Sequence, residues 1–478
     1  MISFTTALLL LIGGYFTYGL FVEKVFGADK NRKTPAITNA DGVDFVPMSW
    51  WKIFLIQFLN IAGLGPIFGA ILGVMYGPSA FLWIVIGSIF AGAVHDYVSG
   101  MLSVRQNGAS LPEIVGSQLG NTVKQILRAF SVILLVLVGA VFISGPAGLL
   151  NGLVPDISII WWSVIVFAYY IIATLLPIDK VIGKLYPVFG VALLFMAVGI
   201  LVALFANNAP IPEVFDGLEN KHPNKLPIFP MMFVSIACGA ISGFHATQSP
   251  LMARCMKNER LGRRIFYGAM ISEGIVALIW AAAASSFFGS IEGLQEFIAN
   301  VPKGANQAAE VVNRISNTWL GVFGGILAML GVIAAPITSG DTALRSARLI
   351  IADFMKYPQK PIKNRLIISI PLFVATFVLL QMDFDVLWRY FAWSNQTLSV
   401  FTLWACTLWL FRNNRKHYFI CMIPAMFMTT VSVSYILYAP EGFGLNYTVS
   451  VCAGIAVSLL FAIMFFRYVA KTRHEIGQ

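Results

Sequence analysis

The chain has 478 residues, 58% hydrophobic and 11% charged, with a formal net charge of +10. Soluble domains carry roughly 45–50% apolar and about 25% charged residues, so this composition excludes an ordinary water-soluble fold and points to the bilayer. The basic balance does not signal nucleic acid, because Lys and Arg fall in short clusters between apolar runs, where they serve as juxtamembrane anchors on anionic lipid.

A bilayer core needs about 20 mostly apolar residues per helix. In chain order such runs lie at 4–22, 49–75, 80–102, 123–150, 157–176, 185–206, 228–256, 264–288, 319–337, 365–382, 384–411, 418–438 and 447–469. The pattern predicts an all-α polytopic membrane protein with about 13 transmembrane helices. The first run lacks a basic leader and its charges follow it, so it reads as a spanning helix and not a cleaved signal. Of the 32 Lys and Arg residues, all but Lys221, Lys225, Lys303, Arg314 and Arg389 fall on alternate loops of one side. Short basic loops stay cytoplasmic, which predicts the N-terminus outside and the C-terminus inside. The five cysteines form no CxxC pair and read as packing thiols.

Two runs are interrupted. The first reads Asn60-Ile-Ala-Gly63-Leu-Gly65-Pro66, where two glycines permit non-helical backbone and proline removes a donor. The second reads Ser242-Gly243-Phe244-His245-Ala246-Thr247-Gln248-Ser249-Pro250, too polar to face lipid. Half-helices are expected to begin near Pro66 and Pro250, since proline suits a first helical turn. Their N-termini carry partial positive charge for an anionic ligand. Each break opens a run of five helices. Five is odd, so the second run starts on the opposite side of the membrane, as in a 5+5 inverted-repeat transporter. The divisions are an extra helix and loop (1–48), repeat 1 (49–206), an extracellular loop (207–227), repeat 2 (228–411) and two final helices with a short tail (412–478).

Ionisable residues at membrane depth are functional candidates. Asp341, with the hydroxyls of Thr338 and Ser339, suits Na⁺ coordination or proton carriage; the alternative is a structural partner for Arg345 or Arg348. His245 lies in the second break and is a candidate proton or substrate contact. Adjacent helical positions point roughly 100° apart. On that ground Asp96 is assigned to the bundle interior and His95 to the core, with no shared partner. Glu273 reads as a paired carboxylate, and Lys180 and Lys184 as snorkelling anchors. No HExxH, CxxC, GxxxxGK[ST] or GxSxG appears, so no cofactor, metal centre, ATP-driven pump or hydrolase is indicated. The polar stretches 23–48 and 289–318 read as gates or short amphipathic pieces.

Several of these segments together resemble the carbon-starvation protein family of bacterial membrane transporters. The likeness rests on TPAITNADGVDFVP, NIAGLGPIFGAILG, GAVHDYVSGMLSVRQNGASLPEIVG, CGAISGFHA and TSGDTALRSARL. It implies uptake of peptides or pyruvate across the bacterial inner membrane, driven by an H⁺ or Na⁺ gradient. It also implies the leucine-transporter-like helix arrangement of the amino acid–polyamine–cation superfamily. By position in that arrangement, a cation site would draw on the carbonyls of Ala62 and Gly63 with Thr338, Ser339 and Asp341. The chain is shorter than the long family members, and its Thr247-Gln248-Ser249-Pro250 stretch differs from theirs.

The reading is a secondary active transporter with alternating access and no obligatory protein partner. Substrate contacts fall to Asn60, Gly63, Gly65, Ser242, Gly243, His245 and Thr247, and coupling to Ala62, Thr338, Ser339 and Asp341 with Asp96 second. A channel, or a membrane-embedded enzyme or sensor using His245 and Asp96, are the competing classes.

Overall fold

The structure is a computed structural model. It describes residues 1–42, 44–175, 178–301, 306–359, 361–414 and 416–476, without the side chains of 174–185, 322–324, 327, 328, 385 and 472–476. Among the described residues every regular element is helical, because in hydrocarbon a helix satisfies its own backbone donors and acceptors. Eight helices there are long and apolar enough to cross a membrane, or nine if one bent pair counts as a single span. The other predicted runs, at 157–176, 228–256, 319–337 and 384–411, are helical over much of their described length but fall outside that count. Lys180 and Lys184 have side chains outside the described residues.

Helix α1 (Ile2–Phe26) buries Phe4, Ala7, Leu11, Val22 and Val25, a 3.5-residue spacing, and turns Leu9, Leu10 and Phe16 outward. The segment after it is packed inward. Thr34, Ala36 and Asp44 are buried, Asp41 Oδ1 accepts from the N–H groups of Asp44 and Phe45, and Met48 N–H donates to the Cys255 carbonyl.

The first interrupted run becomes α2 (Trp50–Ile61) and α3 (Gly65–Val74), bent by 53°. Gly65, Gly69 and Gly73 form a stripe along α3. A Cβ on Gly65 would lie 2.2 Å from Cys238 Cβ, on Gly69 2.6 Å from the Ser235 carbonyl, and on Gly73 2.1 Å from Ile236. The stripe therefore brings α3 backbone against the pieces leading into the second break, a small-xxx-small contact. Helix α4 (Ser79–Arg105) widens into a π-type turn at Gly87–Gly92, just before His95. Then come α5 (Leu111–Leu119), α6 (Asn121–Leu153), α7 (Ile159–Leu175) and α8 (Ile178–Ala206).

The second interrupted run consists of short pieces, Ile228–Met232, Phe233–Ser235 and Ala237–Ala240, then extended backbone at Ile241 and Ser242, then α9 (Gly243–Ala253). The half-helix thus begins at Gly243, and Pro250 sits inside it. This corrects the start expected at Pro250: a side chain from a distant helix accepts from Phe244 N–H in the first turn, so the break needs no proline.

Helices α10 (Glu259–Phe287) and α11 (Ile291–Ala299) follow, the latter a short piece within the polar stretch 289–318. Helix α12 (Gln307–Met355) is longer than expected and kinks at Gly321, whose φ of 66° and ψ of −175° suit glycine. Helices α13 (Ile362–Leu379), α14 (Phe384–Asn413), α15 (Phe419–Tyr438) and α16 (Tyr447–Ile476) complete the chain. Helix α2 is surrounded by α8, α9, α10 and α12, while α12 packs along α6 and α8. Helices α15 and α16 pair with each other against α14.

Candidate functional site

At the second break, extended backbone lies where no water competes for its hydrogen bonds, so partners must come from elsewhere. Helix α14 supplies them. Asn395 Oδ1 accepts from Ser242 Oγ at 2.9 Å and from Phe244 N–H at 2.6 Å, and Gln396 Nε2 donates to the Ile241 carbonyl at 3.2 Å. Gly243 lies hard against the same helix: a Cβ would come 2.4 Å from Ser399 N and 2.5 Å from the Asn395 carbonyl. Asn395 and Gln396 were missed by sequence reasoning. The polar run Ser394-Asn-Gln-Thr397 inside an apolar helix was the signal available.

Helices α2, α9 and α12 meet through polar groups. Gln57 Nε2 donates to Ser249 Oγ at 3.4 Å, Thr342 Oγ1 to Asn60 Oδ1 at 3.3 Å, and Ser346 Oγ to the Thr247 carbonyl at 3.2 Å. Thr247 Oγ1 itself bonds back to the Phe244 carbonyl. The fully buried amides Gln57, Asn60 and Gln248 each keep one polar atom without a partner: Oε1, Nδ2 and Oε1 respectively. Buried orphans of this kind call for an explanation such as a polar ligand or water.

The proposed cation ligands divide. Ser339 Oγ donates to the Leu59 carbonyl at 3.0 Å and lies beside Gly63, so these face the first break. Asp341, two positions on, points to another side of α12, where its Oδ2 accepts from Tyr186 OH at 2.6 Å. Tyr170 OH donates to the Phe142 carbonyl and Arg345 to the Ala173 carbonyl. Thr338 Oγ1 bonds back to Ala335, and its carbonyl receives Tyr186 at 3.4 Å. Asp341 Oδ1 has no hydrogen-bond partner.

A third cluster joins α4, α9 and α10. His95, Asp96, His245 and Glu273 are all fully buried. His95 Nδ1 lies 2.7 Å from Asp96 Oδ1, His245 Nδ1 lies 2.8 Å from Asp96 Oδ2, and His245 Nε2 lies 3.3 Å from Glu273 Oε2. Among the described residues His95 and Asp96 converge on no third group; the contact not anticipated is the one between the two neighbours themselves. Glu273 was read as a paired carboxylate; His245 lies at ion-pair distance from it, without hydrogen-bond geometry. Among the described residues no group of three or more His, Cys, Asp or Glu side chains is arranged to hold a metal ion.

The family model described as "Carbon starvation protein CstA" matches residues 1–160, 153–322 and 300–435. The chain belongs to the carbon starvation protein family. A relative in Haemophilus influenzae, an "uncharacterized membrane protein", is 46% identical over 63% of this chain and 94% of its own. The "peptide transporter CstA" of Campylobacter jejuni is 32% identical over 56% of this chain and 47% of its own. The "pyruvate/proton symporter BtsT" of Escherichia coli is 28% identical over 57% of this chain and 47% of its own. The chain thus spans about half the length of these two transporters. Among solved structures, the manganese transporter of Eremococcus coleocola aligns with a TM-score of 0.54 at 14% identity, covering 91% of this chain and 99% of that one. That likeness shows the fold, which is one used by membrane transporters.

Proposed function

We propose that the chain is a secondary active transporter importing a small carboxylate-bearing nutrient, a peptide or pyruvate, by alternating access driven by a proton gradient. The observation carrying this reading is α9. This half-helix starts at unwound backbone, bears a buried imidazole between two carboxylates, and one turn on meets the half-orphaned amide of Gln57 on α2. The names of the two transporter relatives support the substrate class.

In this reading about 13 helices cross the bacterial inner membrane, N-terminus outside and C-terminus inside. Repeats at 49–206 and 228–411 are related as in leucine-transporter-like folds. Asn60, Gly63, Ser242, His245 and Thr247 contact substrate together with Gln57 and Gln248, while Gly65 and Gly243 allow the close packing that shapes the site. His245 carries the proton with Asp96 as its carboxylate partner, and Asp341 responds to it. Neither a cofactor nor an obligatory protein partner enters the mechanism.

Sodium coupling is the second reading, favoured by Ser339 Oγ beside the Leu59 carbonyl and Gly63. Ala62, Gly63, Thr338 and Ser339 would then hold the ion, with Asp341 beyond them.

The test is uptake of labelled pyruvate and of a labelled dipeptide into proteoliposomes under separate inward H⁺ and Na⁺ gradients. Uphill uptake with H⁺ is the expected result. Uphill uptake with Na⁺ alone replaces the coupling ion, downhill equilibration alone indicates a channel, and no uptake of either compound overturns the substrate class.

A further inference from the structure

We propose that Glu273 and His245 form a proton-binding site holding one exchangeable proton, whose occupancy sets how α9 lies against α10. This rests on the transport reading and names the group in it that releases the proton.

The argument is a count of hydrogens. Asp96 is held on both oxygens, by His95 Nδ1 at 2.7 Å and by His245 Nδ1 at 2.8 Å. An ionised carboxylate only accepts, so each of those nitrogens carries its hydrogen toward Asp96. His245 therefore has Nε2 left for Glu273 Oε2 at 3.3 Å. That approach is of ion-pair distance without hydrogen-bond geometry, and Nε2 has no other partner; since a lone pair facing a carboxylate oxygen repels it, one proton is what lets the two groups lie this close. It sits on Nε2, giving imidazolium against carboxylate, or on Oε2, giving carboxylic acid against neutral imidazole. Both arrangements have the same charge, and the proton passes between them without leaving the contact.

Neither oxygen of Glu273 has a hydrogen-bond partner of good geometry, although the side chain is fully buried. The groups whose charge reaches it are His245 and Asp96, with the Cys238 thiol nearby and His95 behind Asp96. Without the proton, two carboxylates flank one neutral imidazole in a site closed to water. Buried like charges of that kind are strongly unfavourable. Release therefore requires His245 and Glu273 to separate and water to enter. The extended backbone at Ile241 and Ser242 gives α9 a joint for that separation, while Glu273 stays on the continuous helix α10.

The test uses the full-length protein and the variant Glu273→Gln, whose amide can donate to Nε2 but holds no exchangeable proton. In proteoliposomes the variant is expected to keep substrate counterflow at equal pH, lose proton-driven accumulation, and lose the pH dependence of counterflow. Infrared difference spectra of purified protein across a pH step supply a readout that needs no substrate. Wild type is expected to show a protonated carboxyl band that disappears in Glu273→Gln. A band that persists unchanged, or uphill accumulation at the wild-type level by Glu273→Gln, overturns the proposal. If that variant fails to insert, Glu273→Asp, shorter by one methylene, is expected to accumulate with a displaced pH profile, and an undisplaced profile overturns it. Wild type that shows the band but transports neither pyruvate nor dipeptide overturns the transport reading alone.

Discussion

Asp341 carries one well-made hydrogen bond and one empty oxygen, an economical arrangement for a group whose charge matters. Asp341→Asn keeps an acceptor for Tyr186 and removes the charge, so the variant is expected to insert and fold while gradient-driven accumulation is lost. Uptake at the wild-type level would remove Asp341 from coupling. Asp341 was legible in the sequence because an acid amid apolar residues is conspicuous. Its partner was not, since Tyr186 comes from 155 positions away and tyrosines are common in membrane helices. The His95–Asp96 contact was not anticipated, because the angle between adjacent positions bears on a third partner and side chains several bonds long still reach back to a neighbour.

At the scale of elements, the breaks were the most readable feature and their supports the least. Gly63, Gly65 and Pro66 announce the first interruption locally, and the structure bends there by 53°. The second was placed correctly in the chain but given the wrong helix start, because Asn395 does for Phe244 N–H what a local cap would otherwise do. Gly65 was read as permitting non-helical backbone, yet with Gly69 and Gly73 it is also a point of close packing. Only the partner chain segment, absent from any local window, distinguishes the two uses. Asn395→Ala strips the Ser242 hydroxyl and the Phe244 N–H of their acceptor, and each buried orphan costs about 1–3 kcal/mol. The expected outcome is a lower melting temperature in detergent together with a fall in uptake of at least about tenfold, the equivalent of 1.4 kcal/mol. Uptake and melting temperature both unchanged would show that the break is supported by other means.

Across the whole molecule, alternating apolar runs and basic clusters made the membrane class plain, and each predicted run is helical in at least part of its length. What composition could not reveal is how distant loops are tied together. Glu259, fully buried, receives Arg105 through Nε at 3.3 Å and Nη2 at 3.2 Å, and the Asp29 N–H at 3.0 Å. Arg105 also bonds the Gly27 carbonyl and covers the Phe26 ring at 4.2 Å. One carboxylate thus gathers α1, the segment after it, the end of α4 and the start of α10. Glu259→Gln weakens charge-assisted bonds worth about 1.5–3 kcal/mol. It is expected to lower the melting temperature and speed proteolysis between residues 27 and 48; an unchanged cleavage rate would remove this tie. The glycine stripe has a mechanical corollary. Because Gly69 meets the Ser235 carbonyl while Gly65 and Gly73 seat Cys238 and Ile236, under the proposed alternating access α3 and the pieces before the second break would act as the fixed head of a pair of compasses, and α2 and α9 as its legs. Such an instrument opens least at the pivots near Gly63 and Ser242 and most at the tips, where Trp50 and Ala253 stand.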